Sequence, residues 1–243
     1  MKKISRPLYN IISVFLFSAQ YTFTVIMLIC GLSAIAFNST GGLRRVLHLW
    51  GNGILRIMGK KLHLRGTEHI ENGKNYILLT NHASLYDIPA VLAFYPRVSW
   101  LGRSYLLKFP VFGTFLRKTD YIPIDPGNLE KTKKALEHLT QKSETLTVAI
   151  FPEGTRTLDG NLQRFRKGFL YLLKNADIDI LPVTLNGFFS LKPKNRFHID
   201  LNTRVEAVIH RPVKRADLLD KSDDEILVKM KEIIESGYYC REN

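Results

Sequence analysis

The chain has 243 residues, enough for one or two domains with a substantial hydrophobic core. Its 35 Lys and Arg residues outnumber the 22 Asp and Glu residues, and the formal net charge is +13. This excess favours an anionic partner such as phospholipid, nucleic acid or a phosphorylated substrate. The sequence has no zinc-finger spacing and no RNA-binding aromatic motif, so no nucleic acid is expected as a partner. Cys30 and Cys240 form neither a disulfide framework nor a metal-binding motif.

The N-terminal region predicts a membrane-associated helical segment. Residues 11–37 carry no charge, and one helix over them would be about 40 Å long, more than the apolar core of a bilayer requires. A single tilted span, a hairpin broken near residues 20–24 or near Gly31, and a secretory signal cleaved after residues 34–36 all fit this run. Basic residues flank both ends, which favours the hairpin and the cytoplasmic face of the inner membrane.

Residues 42–61 form a basic amphipathic segment in which apolar residues recur at three- and four-residue spacing. Two alternatives fit: an ordinary helix packed on the core, or an interfacial helix with Trp50 at the level of the lipid headgroups. Gly51, Gly53 and Gly59 weaken the prediction of a helix in either case. We therefore divide the chain into a membrane-anchoring segment, residues 1–61, and a second domain, residues 62–243.

From residue 76 onward, short apolar runs alternate with helix-like segments. The sequence predicts strands at residues 76–80, 98–101, 121–124, 146–151, 180–185 and 204–210, and helices at residues 88–94, 128–141, 167–175 and 223–236. Apolar strands separated by helices are typical of a mostly parallel sheet that is covered on both faces. The predicted fold class is therefore α/β, with a mostly parallel central sheet flanked by helices.

Two polar motifs follow predicted strands. The first runs from Asn81 to Asp87, and the second is the hexapeptide of residues 151–156, Phe-Pro-Glu-Gly-Thr-Arg. Residues at the carboxyl ends of parallel strands line the crevice of an open α/β sheet. In the hexapeptide, Gly154 lets the backbone approach a ligand, and Arg156 supplies a planar fork for phosphate or carboxylate.

His82 and Asp87 are the candidate catalytic pair. We expect Ser84 to cap a short helix whose first turn carries Asp87 back toward His82. The carboxylate would then hold a proton on one imidazole nitrogen and leave the other as a general base. No G-x-S-x-G nucleophile motif occurs, so direct transfer is favoured over a covalent intermediate. A packed His beside a solvated Asp is the alternative.

Together these motifs resemble the glycerolipid acyltransferase family over about residues 76–183. The matching residues are Asn81-His82-x-Ser84-x-x-Asp87, Gly102-Arg103 with Pro110-x-x-Gly113, the intact hexapeptide followed by Phe165, Lys167 and Gly168, and Leu181-Pro182-Val183. The resemblance implies acyl transfer from acyl-CoA or acyl carrier protein to the hydroxyl of a lysophospholipid at an anionic membrane, with no metal and no cofactor beyond that acyl donor.

The resemblance also implies roles for individual residues. His82 would take the hydroxyl proton and Asp87 would orient it. The hexapeptide residues Glu153, Gly154, Thr155 and Arg156 would bind the phosphate side of the acceptor, and Arg103, where relatives usually carry Lys, would add positive charge. Glu153 has an alternative role as a structural acceptor of backbone amide protons in a tight turn.

One departure from the family pattern concerns the acceptor. Relatives that bind glycerol phosphate often carry Arg where this chain has Pro126. The favoured acceptor is 1-acylglycerol-3-phosphate, which would give phosphatidic acid. A different lysolipid acceptor and a non-catalytic lipid-binding protein are the alternatives.

Overall fold

The computed structural model describes residues 6–119, 121–124, 130, 134–135, 137–140 and 145–239. The helices are α1 (Arg6–Ala36), α2 (Thr40–Ile57), α3 (Asp87–Phe94), α4 (Pro110–Lys118), α5 (Gly168–Asn175), α6 (Phe188–Leu191) and α7 (Asp223–Ser236). The strands are β1 (Leu62–Arg65), β2 (Tyr76–Thr80), β3 (Val98–Arg103), β4 (Ile122–Ile124), β5 (Thr147–Ile150), β6 (Asp179–Asn186) and β7 (Val205–Ile209).

These strands form one sheet in the order β1-β7-β6-β2-β5-β3-β4. Neighbouring strands are parallel throughout, except that β6 and β7 are antiparallel. In the centre of the sheet, Ile77 of β2 is paired with Val148 of β5 on one side and with Ile180 of β6 on the other. The predicted fold class, a mostly parallel sheet flanked by helices, is confirmed.

Strand β2 shows why the central strands are apolar along their whole length. All five of its residues are buried, because successive side chains point to opposite faces and both faces are covered. Tyr76 and Leu78 belong to a core built with α2 and α3. Ile77 and Leu79 belong to a second core built with α5 and α7. The sheet therefore separates two hydrophobic cores.

The six predicted strands are all present, with ends that differ by one or two residues. Three of the described helices and strands were missed: β1, α4 and α6, which is a single turn of four residues. Strand β1 is mostly exposed, so it lacks the apolar run that marks the buried strands. Helix α4 has nine residues and contains Gly113, which weakens a helical pattern. Half of the helix predicted for residues 128–141 lies outside the described residues, and the described half, residues 130, 134–135 and 137–140, is helical.

Helix α1 corrects the prediction for the apolar run. It is continuous from Arg6 to Ala36, so the hairpin broken near residues 20–24 or near Gly31 is wrong. The chain turns at residues 37–39 instead, and α2 then packs back along α1. By length and composition, residues 7–36 could cross a membrane, and most of this helix is exposed. Its large exposed apolar side chains are Leu8, Ile11, Val14, Phe15, Tyr21, Val25, Ile26 and Ile29.

Helix α2 packs on the core, which favours the first of its two alternatives. Ile54 and Leu55 are buried in the core that contains β2, and Trp50 lies against α1, where its indole N–H donates to Thr24 Oγ1 at 3.0 Å. The glycines that weakened the sequence prediction permit this packing. A Cβ on Gly51 would lie 2.4 Å from the carbonyl oxygen of Pro89 in α3. The division between residues 61 and 62 stays a prediction.

We predict that Gly51→Ala destabilises the protein although alanine favours helix. Overpacking costs about 1–3 kcal/mol, and the gain in helix propensity offsets at most about 1 kcal/mol. Thermal unfolding in detergent should show a melting temperature lowered by roughly 2–6 °C. Gly41→Ala is the matched control, because a Cβ on Gly41, also in α2, meets no atom within 4 Å. Equal melting temperatures for the two variants would contradict the close approach of α2 to α3.

Candidate active site

Two loops meet at the carboxyl edge of the sheet. One follows β2 and contains His82, and the other follows the adjacent parallel strand β5 and contains Glu153. The backbone joins them, because the amide of Thr157 donates to the carbonyl oxygen of His82 at 2.9 Å. Both motifs therefore lie at one place, because the strands that they follow are adjacent and parallel in the sheet.

The side chains of His82 and Asp87 are in direct contact. Asp87 Oδ2 lies 2.8 Å from His82 Nδ1, and it also accepts the amides of Ala83 and Ser84 at 2.7 and 2.8 Å. Asp87 is 0% exposed. Because an ionised carboxylate can only accept, this arrangement places the proton of a neutral imidazole on Nδ1 and leaves Nε2 as the acceptor.

The capping expected of Ser84 is wrong. Helix α3 begins at Asp87 with no side-chain cap from the residue before it. The Ser84 hydroxyl instead donates to the carbonyl oxygen of Lys192 at 2.7 Å. The loop is held by the Asp87 carboxylate, which accepts the amide of Ser84. The local pattern had assigned the Ser84 hydroxyl to the start of the helix. It bonds instead to a residue 108 positions away in the chain.

Aromatic rings hold the face of the imidazole. The His82 ring stacks on Phe151 with centroids 3.9 Å apart, and Phe151 stacks in turn on Trp100 at 5.4 Å. The His82 side chain is 17% exposed, so the stacked ring remains accessible to a ligand. The sequence analysis gave no role to Phe151 or Trp100, since aromatic residues in apolar runs are usually part of the core.

Glu153 fastens the two loops together. Its Oε1 accepts the amide of His82 at 2.6 Å, and its Oε2 accepts the amide of Gln163 at 2.9 Å. The residue is 2% exposed. Burial raises the pKa of this carboxyl, and the two amide hydrogen bonds oppose the rise. Both oxygens are directed to the backbone, which favours the structural alternative over direct contact with an acceptor.

The rest of the hexapeptide turn faces outward. Gly154 has φ +71°, a backbone conformation that favours glycine, and Gly154 and Thr155 are exposed. Arg156 is half-buried, and its guanidinium makes no ion pair with any described residue. Arg103 is exposed at the end of β3, next to β5, and within the described chain its side chain makes no hydrogen bond. The turn thus presents Arg156 as a cation without an internal partner.

An apolar cavity of about 150 Å³ lies beside the pair. It reaches the site at Trp100 and at Ile88, which directly follows Asp87. The lining comes from α1, α2, α3, β3, α4 and the residues around them: Thr24, Met27, Leu28, Val46, Leu47, Trp50, Ile88, Leu92, Val98, Trp100, Leu106, Phe112, Phe115, Leu116, Thr119 and Tyr121. Residues 181–183, the last of the matching motifs, are not in this lining and lie in β6.

No metal-binding cluster is present in the described part of the chain, where no three or more His, Cys, Asp and Glu residues group together. The expectation that no metal or further cofactor takes part stays a prediction.

Comparison with known proteins decides the family. The family model described as Acyltransferase matches residues 61–186, which contain both motifs. The chain belongs to the acyltransferase family. A 1-acyl-sn-glycerol-3-phosphate acyltransferase of Limnanthes douglasii is 30% identical over 158 residues, covering 63% of this chain and 54% of that protein. One of Salmonella typhimurium is 27% identical over 154 residues, covering 62% of each protein. The chain thus spans about half the length of the plant relative.

A solved structure shares the fold of this acyltransferase. The 1-acyl-sn-glycerophosphate acyltransferase of Thermotoga maritima matches with a TM-score of 0.78 and 23% sequence identity, covering 94% of this chain and 96% of that one. The agreement extends over the N-terminal helices as well as the sheet, because so little of either chain is left unmatched.

We predict that Glu153→Ala lowers stability, because it leaves the amides of His82 and Gln163 without their acceptors. Each buried unpaired amide costs about 1–3 kcal/mol, so the melting temperature should fall by roughly 4 °C or more. Thr155→Ala, in the same turn but exposed, should leave it unchanged. An unchanged melting temperature for Glu153→Ala would show that the carboxylate does not stabilise the two loops. It would favour the other role predicted for Glu153, binding of the acceptor.

Proposed function

We propose that the protein transfers an acyl chain from acyl-CoA or acyl carrier protein to the free hydroxyl of 1-acylglycerol-3-phosphate, forming phosphatidic acid. The observation that carries the proposal is the contact of 2.8 Å between His82 Nδ1 and the buried Asp87 carboxylate. It leaves Nε2 as an acceptor, and the His82 ring is connected through Phe151 to Trp100, which lines the apolar cavity. The relatives are named as 1-acyl-sn-glycerol-3-phosphate acyltransferases, which suggests the substrate class. Both motifs are intact in this chain, which supports the same class here.

The reaction needs one proton carrier. His82 Nε2 accepts the proton of the acceptor hydroxyl as its oxygen attacks the thioester carbonyl. The new C–O bond forms, the C–S bond breaks, and the imidazolium returns the proton to the leaving thiolate, so the enzyme ends as it began. Asp87 stabilises the transient imidazolium and keeps the ring oriented. No covalent acyl-enzyme is required.

Two regions supply the binding sites for the substrates. The Arg156 guanidinium, which forms no ion pair with the residues that the structure describes, binds the phosphate of the acceptor. The apolar cavity receives an acyl chain beside Trp100 and His82. The exposed apolar side of α1 attaches the protein to an anionic bilayer from which the acceptor is drawn, at the cytoplasmic face of the inner membrane.

The decisive assay is thiol release from acyl-CoA and from acyl carrier protein, by purified protein in detergent with a panel of lysolipids. We predict His82-dependent release with lysophosphatidic acid. His82→Ala should lower the rate ~10²–10⁴-fold with folding retained, because no other described group accepts the hydroxyl proton. His63→Ala, on an exposed position of β1, is the control and should be fully active.

The other outcomes discriminate between the alternatives. Release only with another lysolipid would keep the mechanism and replace the acceptor, which is the alternative that Pro126 motivates. Pro126 itself lies outside the described residues. Release that persists in His82→Ala would refute the base assignment. No release with any donor and acceptor would favour a non-catalytic lipid-binding protein.

We predict that Arg156→Lys raises the KM for lysophosphatidic acid while kcat changes little. Lysine keeps the charge but loses the planar fork that binds two phosphate oxygens at once, so a rise of roughly tenfold is expected. The KM for the acyl donor should stay the same. An unchanged KM for the acceptor would assign Arg156 a structural role.

A further inference from the structure

A second cation lies beside the catalytic loop. Lys192 comes directly after α6 in a basic turn that the sequence analysis had not used, and it is only 9% exposed. Its carbonyl oxygen accepts the hydroxyl of the fully buried Ser84 at 2.7 Å. Since the Ser84 amide donates to Asp87, one residue separates Lys192 from the catalytic pair in this chain of hydrogen bonds.

The amino group of Lys192 is buried without an anion. Its Nζ donates to the carbonyl oxygen of Pro193 at 3.1 Å, and it forms no ion pair with any residue that the structure describes. Burial lowers the pKa of this amino group, and the positive charges of Arg156 and Arg196 lower it further. A cation buried among cations is costly unless a ligand supplies the opposite charge.

Lys60 shows how the same protein treats a structural lysine. It is also buried, but its Nζ donates to two carbonyl oxygens, those of Leu201 and Thr203, and the charge of Asp200 opposes the effect of its burial. The partners of Lys60 therefore account for its position. Lys192 has one carbonyl and no acid, so most of its three N–H donors remain free for a ligand.

We propose that Lys192 is a further substrate-binding residue, and that its amino group and the Arg156 guanidinium together bind the phosphate of the lysophospholipid acceptor. This inference rests on the proposed function, and it deepens it by completing the site with a residue outside both motifs. Two cations match a phosphomonoester, which carries more than one negative charge near neutral pH.

Position favours the acceptor over the donor as the source of that phosphate. In 1-acylglycerol-3-phosphate, the phosphate is attached at the carbon next to the one that carries the reacting hydroxyl. The hydroxyl must reach His82, so the phosphate must lie close to the same loop, where Ser84 holds the backbone of Lys192. The phosphates of an acyl-CoA are separated from its thioester by a long flexible arm.

The test compares Lys192→Met with Lys194→Met by the kinetics of thiol release. Lys194 lies in the same turn but is exposed, so its variant removes an equal charge from the solvent side. Lys192→Met should raise the KM for lysophosphatidic acid roughly 10- to 100-fold with kcat within about threefold, as expected for loss of a charged hydrogen bond. Lys194→Met should behave as wild type, and the KM for the acyl donor should not move in either variant.

A binding measurement separates this inference from the proposed function. In a His82→Ala background, lysophosphatidic acid should raise the melting temperature of the protein and of its Lys194→Met form, but not of its Lys192→Met form. If Lys192→Met fails to give a thermal transition, Lys192→Gln serves for both measurements.

Each outcome has a distinct meaning. Turnover with equal KM values for the two lysine variants would overturn the role of Lys192 and leave the proposed function standing. Stabilisation by lysophosphatidic acid that needs Lys192, without turnover, would support the phosphate site and overturn the proposed function. A rise confined to the KM of the acyl donor would overturn the assignment to the acceptor, and the absence of both turnover and stabilisation would overturn both proposals.

Discussion

The Asp87 carboxylate is the group on which the site depends. A single oxygen, Oδ2, accepts the imidazole of His82 and the amides of Ala83 and Ser84, and the side chain is wholly buried. Burying a negative charge is costly unless it accepts hydrogen bonds of this kind. The same interactions that satisfy the charge therefore set the geometry of the loop and of the base.

Glu153 repeats this solution on the neighbouring loop. Its two oxygens accept the amides of His82 and Gln163, so His82 is fixed through its ring by one carboxylate and through its backbone by another. Both acids accept backbone amides, and among the described residues neither forms an ion pair with a Lys or an Arg. The cations nearby, Arg156 and Lys192, are consequently left without acidic partners in the described structure and can serve a ligand. Had the acids paired with these cations, the site would offer neither an anion-binding surface nor an oriented base.

The parts of this arrangement that the sequence predicted are those encoded by short-range patterns. The central strands are continuous apolar runs, and the spacing from His82 to Asp87 spans one loop and the start of one helix. The role of Lys192 was not predictable in this way, because its contact with Ser84 joins residues 108 positions apart in the chain. In the sequence alone it belongs to a basic turn of the kind that is usually solvated.

The N-terminal helix illustrates the opposite error, in which a local signal was given too much weight. Polar residues within residues 20–24 suggested a break, but glutamine is a good helix former, and here Gln20 is buried with its side chain 2.7 Å from the hydroxyl of Tyr86. The polar group marks a contact with the protein rather than an end of the helix. Gly51 was misjudged for a similar reason, since it allows α2 to approach the backbone of α3 closely.

The hydrogen bond between Gln20 and Tyr86 also connects the N-terminal helix to the candidate active site. Tyr86 directly precedes Asp87, so the hydrogen bond from Tyr86 to Gln20 connects α1 to the loop that carries His82 and Asp87. A second bond, from Trp50 to Thr24, holds α2 against the same helix at the wall of the apolar cavity. The helix with the exposed apolar side is thus one wall of the cavity and a support of the loop. The position of α1 and the position of His82 are therefore coupled through this loop, which fits the proposed transfer to an acceptor drawn from a bilayer.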